Sequence, residues 1–451
     1  MTLPASGSIS LSQVNTELSE ISTTLISLGQ ANLRHLFGVY TGAISLSDGY
    51  GKALISFLRT LDNPNAYDTS LNDYFGRAVS ISNSYAIVGA YAEDDIGGTG
   101  SGKAYIFDNA TGVLLWTLDN PNAYDTSLND NFGRAVSISE SYAIVGAMLE
   151  DDAGGLDSGK AYIYDNATGV LLWTLDNPNA YDTSAVDGFG YSIAISDSYA
   201  IVGAPYEDDA GGTGSGKAYI YNSSTGALLW TLDNPNAYGT TDGDYFGYSV
   251  SISNSYAIIG AYLEDDAGGL SSGKAYIFDN ATGTLLWTLD NPNAYDTSAG
   301  DSFGYSVSIS DIYAIVGAYQ EDDISGLGSG IAYIYNSVTG ALLHTLDNPN
   351  AYSSTTGDYF GYYVSISDSY AIVGAPYEDD AGGLTSGKAY IYNPATGALL
   401  STLDNPNAYN TSDGDSFGYS IAISDNYAIV GAYLEDDAGG LSSGKAYIYK
   451  V

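Results

Sequence analysis

Cysteine is absent from the chain, and histidine occurs only at His35 and His344. The first absence excludes disulfide staples, thiolate metal sites and a cysteine nucleophile, and it leaves the redox compartment unread. Basic residues are scarce as well: 12 Lys and Arg stand against 53 Asp and Glu, a formal net charge of −41. That balance argues against a nucleic-acid partner, because phosphates need Lys and Arg where they land. No run of 18 apolar residues occurs, so no membrane-spanning helix is expected. The first residues carry no basic stretch followed by an apolar one, so a secretory signal is not expected either.

What is present is repetition. The segment LDNPNAYDTSLNDYFGRAVSISNSYAIVGAYAEDDIGGTGSGKAYIFDNATGVLLWT begins at Leu61 and recurs from Leu118, Leu175, Leu232, Leu289, Leu346 and Leu403. Each copy starts 57 residues after the last, without insertion or deletion. Self-similarity at such a period means an array or a propeller. In the first copy four short runs have strand character: residues 75–82, 85–90, 102–107 and 113–118. They are rich in Val, Ile, Tyr, Phe and Leu, and Gly, Asn, Asp and Ser bound them. Four antiparallel strands per repeat make a propeller blade.

The last copy, residues 403–451, lacks the final 8 residues of the repeat, those of the fourth strand. Residues 53–60, ALISFLRT, supply the same apolar-then-Thr pattern just ahead of the first copy. The expected fold is therefore all-β: a seven-bladed propeller over residues 53–451, its ring closed when strand 53–60 completes the last blade. Closure removes the unpaired edges of an open array.

Residues 1–52 share nothing with the repeat. Ser10–Gln13 and Ser27–Gln30 have capping-box spacing, which predicts short helices over 12–20 and 28–37. One reading of this segment is a small cap over the ring; the other is an attachment module.

Two resemblances bear on these parts. The blocks GSISLSQVNTEL (7–18), SLGQANLRHLFG (27–38) and GAISLSDGYGK (42–52) resemble the opening of many virion structural proteins of tailed bacteriophages. In the repeats, Phe75-Gly76 and then Gly89-Ala90 recur in every copy, twice followed by proline at Pro205 and Pro376. This resembles the FG-GAP repeat of integrin-type propellers, in its short bacterial form. Such blades elsewhere carry an Asp-x-Asp-x-Asp-Gly calcium loop between the FG and GAP strands. Here residues 82–85 leave no room for one, so those ligands are not carried over.

Acids cluster in the two loops that a propeller places on one face, the LDNPN…FG and the EDD…SG loops. These hold 42 of the 53 Asp and Glu. Flexible, oxygen-rich loops suit calcium, which takes six to eight oxygens. Candidate metal ligands are Glu93, Asp94, Asp95, Glu150, Asp151, Asp152, Glu207, Asp208, Asp209, Glu264, Asp265 and Asp266, then Glu321, Asp322, Asp323, Glu378, Asp379, Asp380, Glu435, Asp436 and Asp437. The competing reading is a solvated acidic surface that keeps the protein soluble, its repulsion relieved in part by Lys103 and its equivalents. A candidate ligand-binding face is formed by Tyr67, Tyr124, Tyr181, Tyr238, Tyr295, Tyr352 and Tyr409, set beside Asn and Asp in the DNPNAY loops. Trp116, Trp173, Trp230 and Trp287 fall on the outer strand, where packing is favoured over sugar stacking because other copies carry His344, Ser401 or Arg59 there.

Catalysis needs a few different groups converging at one place. Near-identical blades offer the same groups seven times, and no Ser/His/Asp arrangement is present, so no enzyme is expected. A glycan-cleaving propeller is the minor alternative, and breaks in regularity would mark its site: Arg77 and Arg134 where other copies have Tyr, and Ile331 where six have Lys. The expectation is a phage virion protein of the tail or fibre. Residues 1–52 would dock on other virion proteins, and the propeller would meet a glycan or protein of the host surface. The alternative is a decoration protein whose propeller contacts only other virion subunits.

Overall fold

A computed structural model describes residues 55–64, 72–94, 99–121, 129–151, 156–178, 186–208, 212–235, 243–265, 269–292, 300–322, 327–349, 357–379, 384–406, 414–436 and 441–451. Both expected N-terminal helices lie outside these residues. Among the described residues, 28 strands form seven four-stranded antiparallel sheets, each a meander from the channel outward. In the first blade the inner strand is Ala78–Ile81, followed by Tyr85–Ala90, Lys103–Asp108 and the outer strand Leu114–Asp119. The described residues form a seven-bladed all-β propeller.

The inner strand is shorter than the residues 75–82 expected. Gly76 adopts φ +86°, outside the β region, and Arg77 N–H closes a turn on Tyr74 O at 3.0 Å. The link from inner to second strand is as tight as its length implied. Ser82 N–H donates to Tyr85 O at 2.8 Å, and the Ser82 hydroxyl accepts from Ser84 and Tyr85 N–H.

Strand alternation explains the core. On the second and third strands almost every residue is buried, because these strands are covered by neighbouring blades on both sides. Outer strands show more exposed positions, with Leu118 and its equivalents buried. Phe75 is wholly buried against Tyr105 and Phe107, with ring centroids at 5.9 and 6.3 Å.

The seventh blade closes the ring. Its outer strand is Ser56–Asp62, antiparallel to Lys445–Lys450 in the register Thr60↔Tyr447 and Asp62↔Lys445. Leu61 and Ile55 are buried there. At the seam between the last and first blades, Gly431 lies so close that a Cβ on it would sit 2.1 Å from Gly76 O. An interior seam has the same geometry, with Gly89 against Gly133 O at 1.9 Å. The paired Gly residues of the repeat are thus where one blade's backbone rests on the next. Gly431→Ala and Gly89→Ala are each expected to cost on the order of 3 kcal/mol by overpacking. Equal losses in thermal unfolding would mark a ring with no free seam; tolerance of Gly431→Ala alone would mark an open one.

Serines add a second set of inter-blade links. Ser80 Oγ accepts from Ile138 N–H of the next blade at 3.2 Å, and the equivalent bond recurs from Ser137, Ser251, Ser308 and Ser365. Two blades have Ala194 and Ala422 at this position.

Candidate functional site

Among the described residues, the acids of the loop face form a framework with partners in the blade. Glu93 is fully buried, and Tyr105 O–H donates to its carboxyl group from 2.7 Å to either oxygen. Glu150, Glu207, Glu264 and Glu378 meet Tyr162, Tyr219, Tyr276 and Tyr390 in the same way, while Tyr333 donates to Glu321 Oε1 and Tyr447 to Glu435 Oε2. Burial pushes the Glu93 carboxyl up to about 8, with the tyrosine bond and Lys103 opposing and Asp73 adding to the rise. Glu150, Glu207, Glu264 and Glu435 are raised to about 8 and Glu378 to about 7, again chiefly by burial.

The second residue of each triplet holds its own loop. Asp94 Oδ1 accepts from Gly100 N–H at 2.8 Å, and Asp151, Asp208, Asp265, Asp322, Asp379 and Asp436 do likewise six residues on. The structure therefore separates the first two candidate ligands of each triplet, one turned into the blade and one capping the loop. Asp95, Asp152, Asp209, Asp266, Asp323, Asp380 and Asp437 lie outside the described residues, as do Tyr67, Tyr124, Tyr181, Tyr238, Tyr295, Tyr352 and Tyr409. Among the described residues no three Asp, Glu or His side chains are grouped to hold a metal ion.

Two further partnerships were not anticipated. Asn63 Nδ2 donates to buried Asp73 Oδ2 at 2.8 Å, tying the two ends of the LDNPN…FG loop together. Lys103 pairs with Asp119, Lys388 with Asp404 at 3.2 Å, and Lys445 with Asp62 at 2.7 Å across the closure. The signal for both was fixed separation: Asn and Asp ten residues apart, and Lys and Asp sixteen apart, in nearly every copy. The lysines thus work as specific partners on the blade wall, where they had been expected to damp general repulsion.

Outer-strand tryptophans pack, as the pattern implied. Trp116 Nε1–H donates to Asn166 O of the next blade at 2.9 Å, and its ring covers the turn at Gly169. His344 covers Gly397 in the same way, and Arg59 lies over Gly112 and donates to Ala110 O.

The loop tips are fastened to the neighbouring blade. Val186 N–H donates to Leu156 O, Gly300 to Leu270, Gly357 to Leu327, Gly414 to Leu384 and Asn72 to Leu441. Their side chains nevertheless point outward. Leu156, Leu270, Leu327, Leu384 and Leu441 are between 63% and 72% exposed, the most exposed large apolar residues described. All five stand on the acid-rich face.

Sevenfold regularity breaks at the channel mouth on that same face. The residue after each Phe-Gly pair forms a ring: Arg77, Arg134, Tyr191, Tyr248, Tyr305, Tyr362 and Tyr419. The five tyrosines lie side by side, with centroids 4.9, 5.1, 5.0 and 5.3 Å apart in order. Hydroxyl contacts join Tyr248 to Tyr305 at 3.3 Å and Tyr305 to Tyr362 at 3.0 Å. The arginines complete the circle at its two ends. Arg77 lies over Tyr419 at 4.3 Å and Arg134 over Tyr191 at 4.8 Å. Each guanidinium thus rests on an aromatic face.

Below this ring is a cavity of about 370 Å³ whose lining includes both arginines, Tyr191, Tyr248, Tyr305 and Tyr363, and no carboxylate. That size falls within the range of small-molecule sites.

No curated protein matches the chain. A family profile described as the FG-GAP repeat matches residues 65–107, 122–164, 179–221, 237–278, 293–335, 351–392 and 407–449. Those matches fall once in each 57-residue copy and together cover more than half of the sequence, so the chain belongs to the FG-GAP repeat family.

Proposed function

We propose that the protein is a non-enzymatic adhesion component of a phage particle, held there by residues 1–52 and meeting the host surface with the loop face of its propeller. Ligand or protein binding is the kind of function an FG-GAP propeller suggests; the virion setting rests on the resemblance of the opening blocks. The observation that carries the adhesive reading is the set of five exposed leucines, each with its carbonyl hydrogen-bonded to the neighbouring blade. One apolar side chain held out at the same position in five blades offers a partner the same small contact five times over. Contacts that are weak singly add up when several engage together, so a sevenfold face suits attachment by avidity.

Soluble full-length protein should slow adsorption of the particle to host cells. Changing Leu156, Leu270, Leu327, Leu384 and Leu441 to Ser together should weaken that blocking about tenfold, a loss of about 1.4 kcal/mol, with the unfolding temperature unchanged. Absence of any blocking would favour the decoration reading. A chain beginning at Ala53 should fold but stay out of the particle; its incorporation at normal copy number would reduce residues 1–52 to a cap.

A further inference from the structure

The channel mouth differs from the rest of the loop face in its charge. Around it, loop after loop presents acids, yet the cavity lining carries two guanidiniums and no carboxylate. No carboxylate among the described residues pairs with either arginine. Arg134 donates to Met148 Sδ at 2.9 Å, a weak acceptor, and Arg77 faces the Tyr363 hydroxyl. Each guanidinium has five N–H donors in a planar fork, a geometry that matches a carboxylate or phosphate. Both therefore keep donors for a guest.

The remaining lining selects among anions. Tyrosine rings offer faces to the C–H side of a sugar, and their hydroxyls offer acceptors and donors to its hydroxyl groups. A guest must also approach through a strongly acidic face, where the electrostatic cost grows with its charge. A singly charged carboxylate is favoured there over a phosphate dianion. The cavity is lined from all seven blades, yet only two of the seven ring positions are arginine and they are neighbours, so its positive charge lies on one side.

We propose that the cavity under the tyrosine ring binds one carboxylate-bearing sugar per chain, with Arg77 and Arg134 holding the carboxylate and the tyrosines carrying the sugar ring. This deepens the adhesive reading, on which it rests, by giving the host-surface partner a chemistry.

Arg77→Tyr and Arg134→Tyr test it, because five blades already carry tyrosine at this position and the fold accommodates it there. Titration calorimetry on the full chain would use glucuronate and N-acetylneuraminate, with glucose as the neutral control and inorganic phosphate as the competing anion. The expected result is binding of at least one acid sugar at one site per chain, tenfold or more stronger than glucose. That binding should fall at least tenfold in either variant, with thermal stability kept. The proposal is overturned if neither acid sugar binds, if the double variant binds as well as the parent, or if phosphate alone binds in an arginine-dependent way. The adsorption assay tells its failure from failure of the adhesive reading. Soluble Arg77→Tyr/Arg134→Tyr protein that blocks particles as well as the parent would remove this site and retain the adhesion.

Discussion

Deleting residues 1–62 should lower the unfolding temperature by about 10 °C and expose an edge that aggregates, whereas deleting residues 1–52 should leave stability near that of the full chain. The first deletion removes the strand Ser56–Asp62 and leaves Lys445–Lys450 as an open edge. It uncovers the sites of Leu61 and Ile55, both buried, each worth about 2 kcal/mol. A ladder running from Ser56↔Lys450 to Asp62↔Lys445 is lost with them, at about 0.7 kcal/mol for each of its bonds. The sum is on the order of 8 kcal/mol. An entropy of unfolding near 2 cal/mol/K per residue turns that into about 10 °C for a ring of this size. The ion pair of Lys445 with Asp62 adds little, since the aspartate is largely solvated. A synthetic peptide of residues 53–64 added in trans should restore part of the loss, because an unpaired edge accepts a matching strand. If both deletions melted together with the parent, closure by this strand would contribute nothing to the ring.

Much of this architecture was legible because the chain repeats. Seven copies in one sequence act as seven independent statements of what the blade requires, so Phe75-Gly76, Gly89 and the missing final strand could be read directly. Strand limits were less legible: the turn at Gly76 depends on a φ of +86°, which spacing does not reveal. The acids show a deeper limit. Composition counts charges but not directions, and Glu93 sits beside Asp94 in sequence while one turns inward to Tyr105 and the other outward to Gly100. Only the partner at a fixed separation, twelve residues away for Tyr105, distinguishes a framework acid from a ligand. Arg77 and Arg134 were visible as breaks in the pattern, but their place in one ring with five tyrosines follows from closure.

The buried glutamates make the fold sensitive to pH, and the ring is expected to be most stable in mildly acidic solution. In the native state Glu93, Glu150, Glu207, Glu264 and Glu435 are raised to about 8, and Glu378 to about 7. In the unfolded chain they return to about 4.3. Below that value both states are protonated and the groups are neutral in the balance. Between it and the native value the folded state holds protons that the unfolded state has released, so stability falls as pH rises and levels off above about 8. Each glutamate is expected to contribute a few kcal/mol across this window, at about 1.4 kcal/mol per pKa unit. Together they should lower the unfolding temperature between pH 5 and pH 8.5 by roughly 25 °C. Surface repulsion from the net charge acts in the same direction, but half-molar salt screens it and leaves the buried groups untouched. The slope that survives in salt is therefore the glutamates' own. Glu93→Gln keeps an acceptor for Tyr105 without a charge, and should raise stability at pH 8.5 while leaving it almost unchanged at pH 5. Repeating the substitution in successive blades should flatten the profile stepwise. An unfolding temperature in high salt that stays level or rises from pH 5 to pH 8.5 would mean that these carboxyls are ionised in the folded ring. The Tyr–Glu pairs would then be charge-assisted bonds that strengthen the blade.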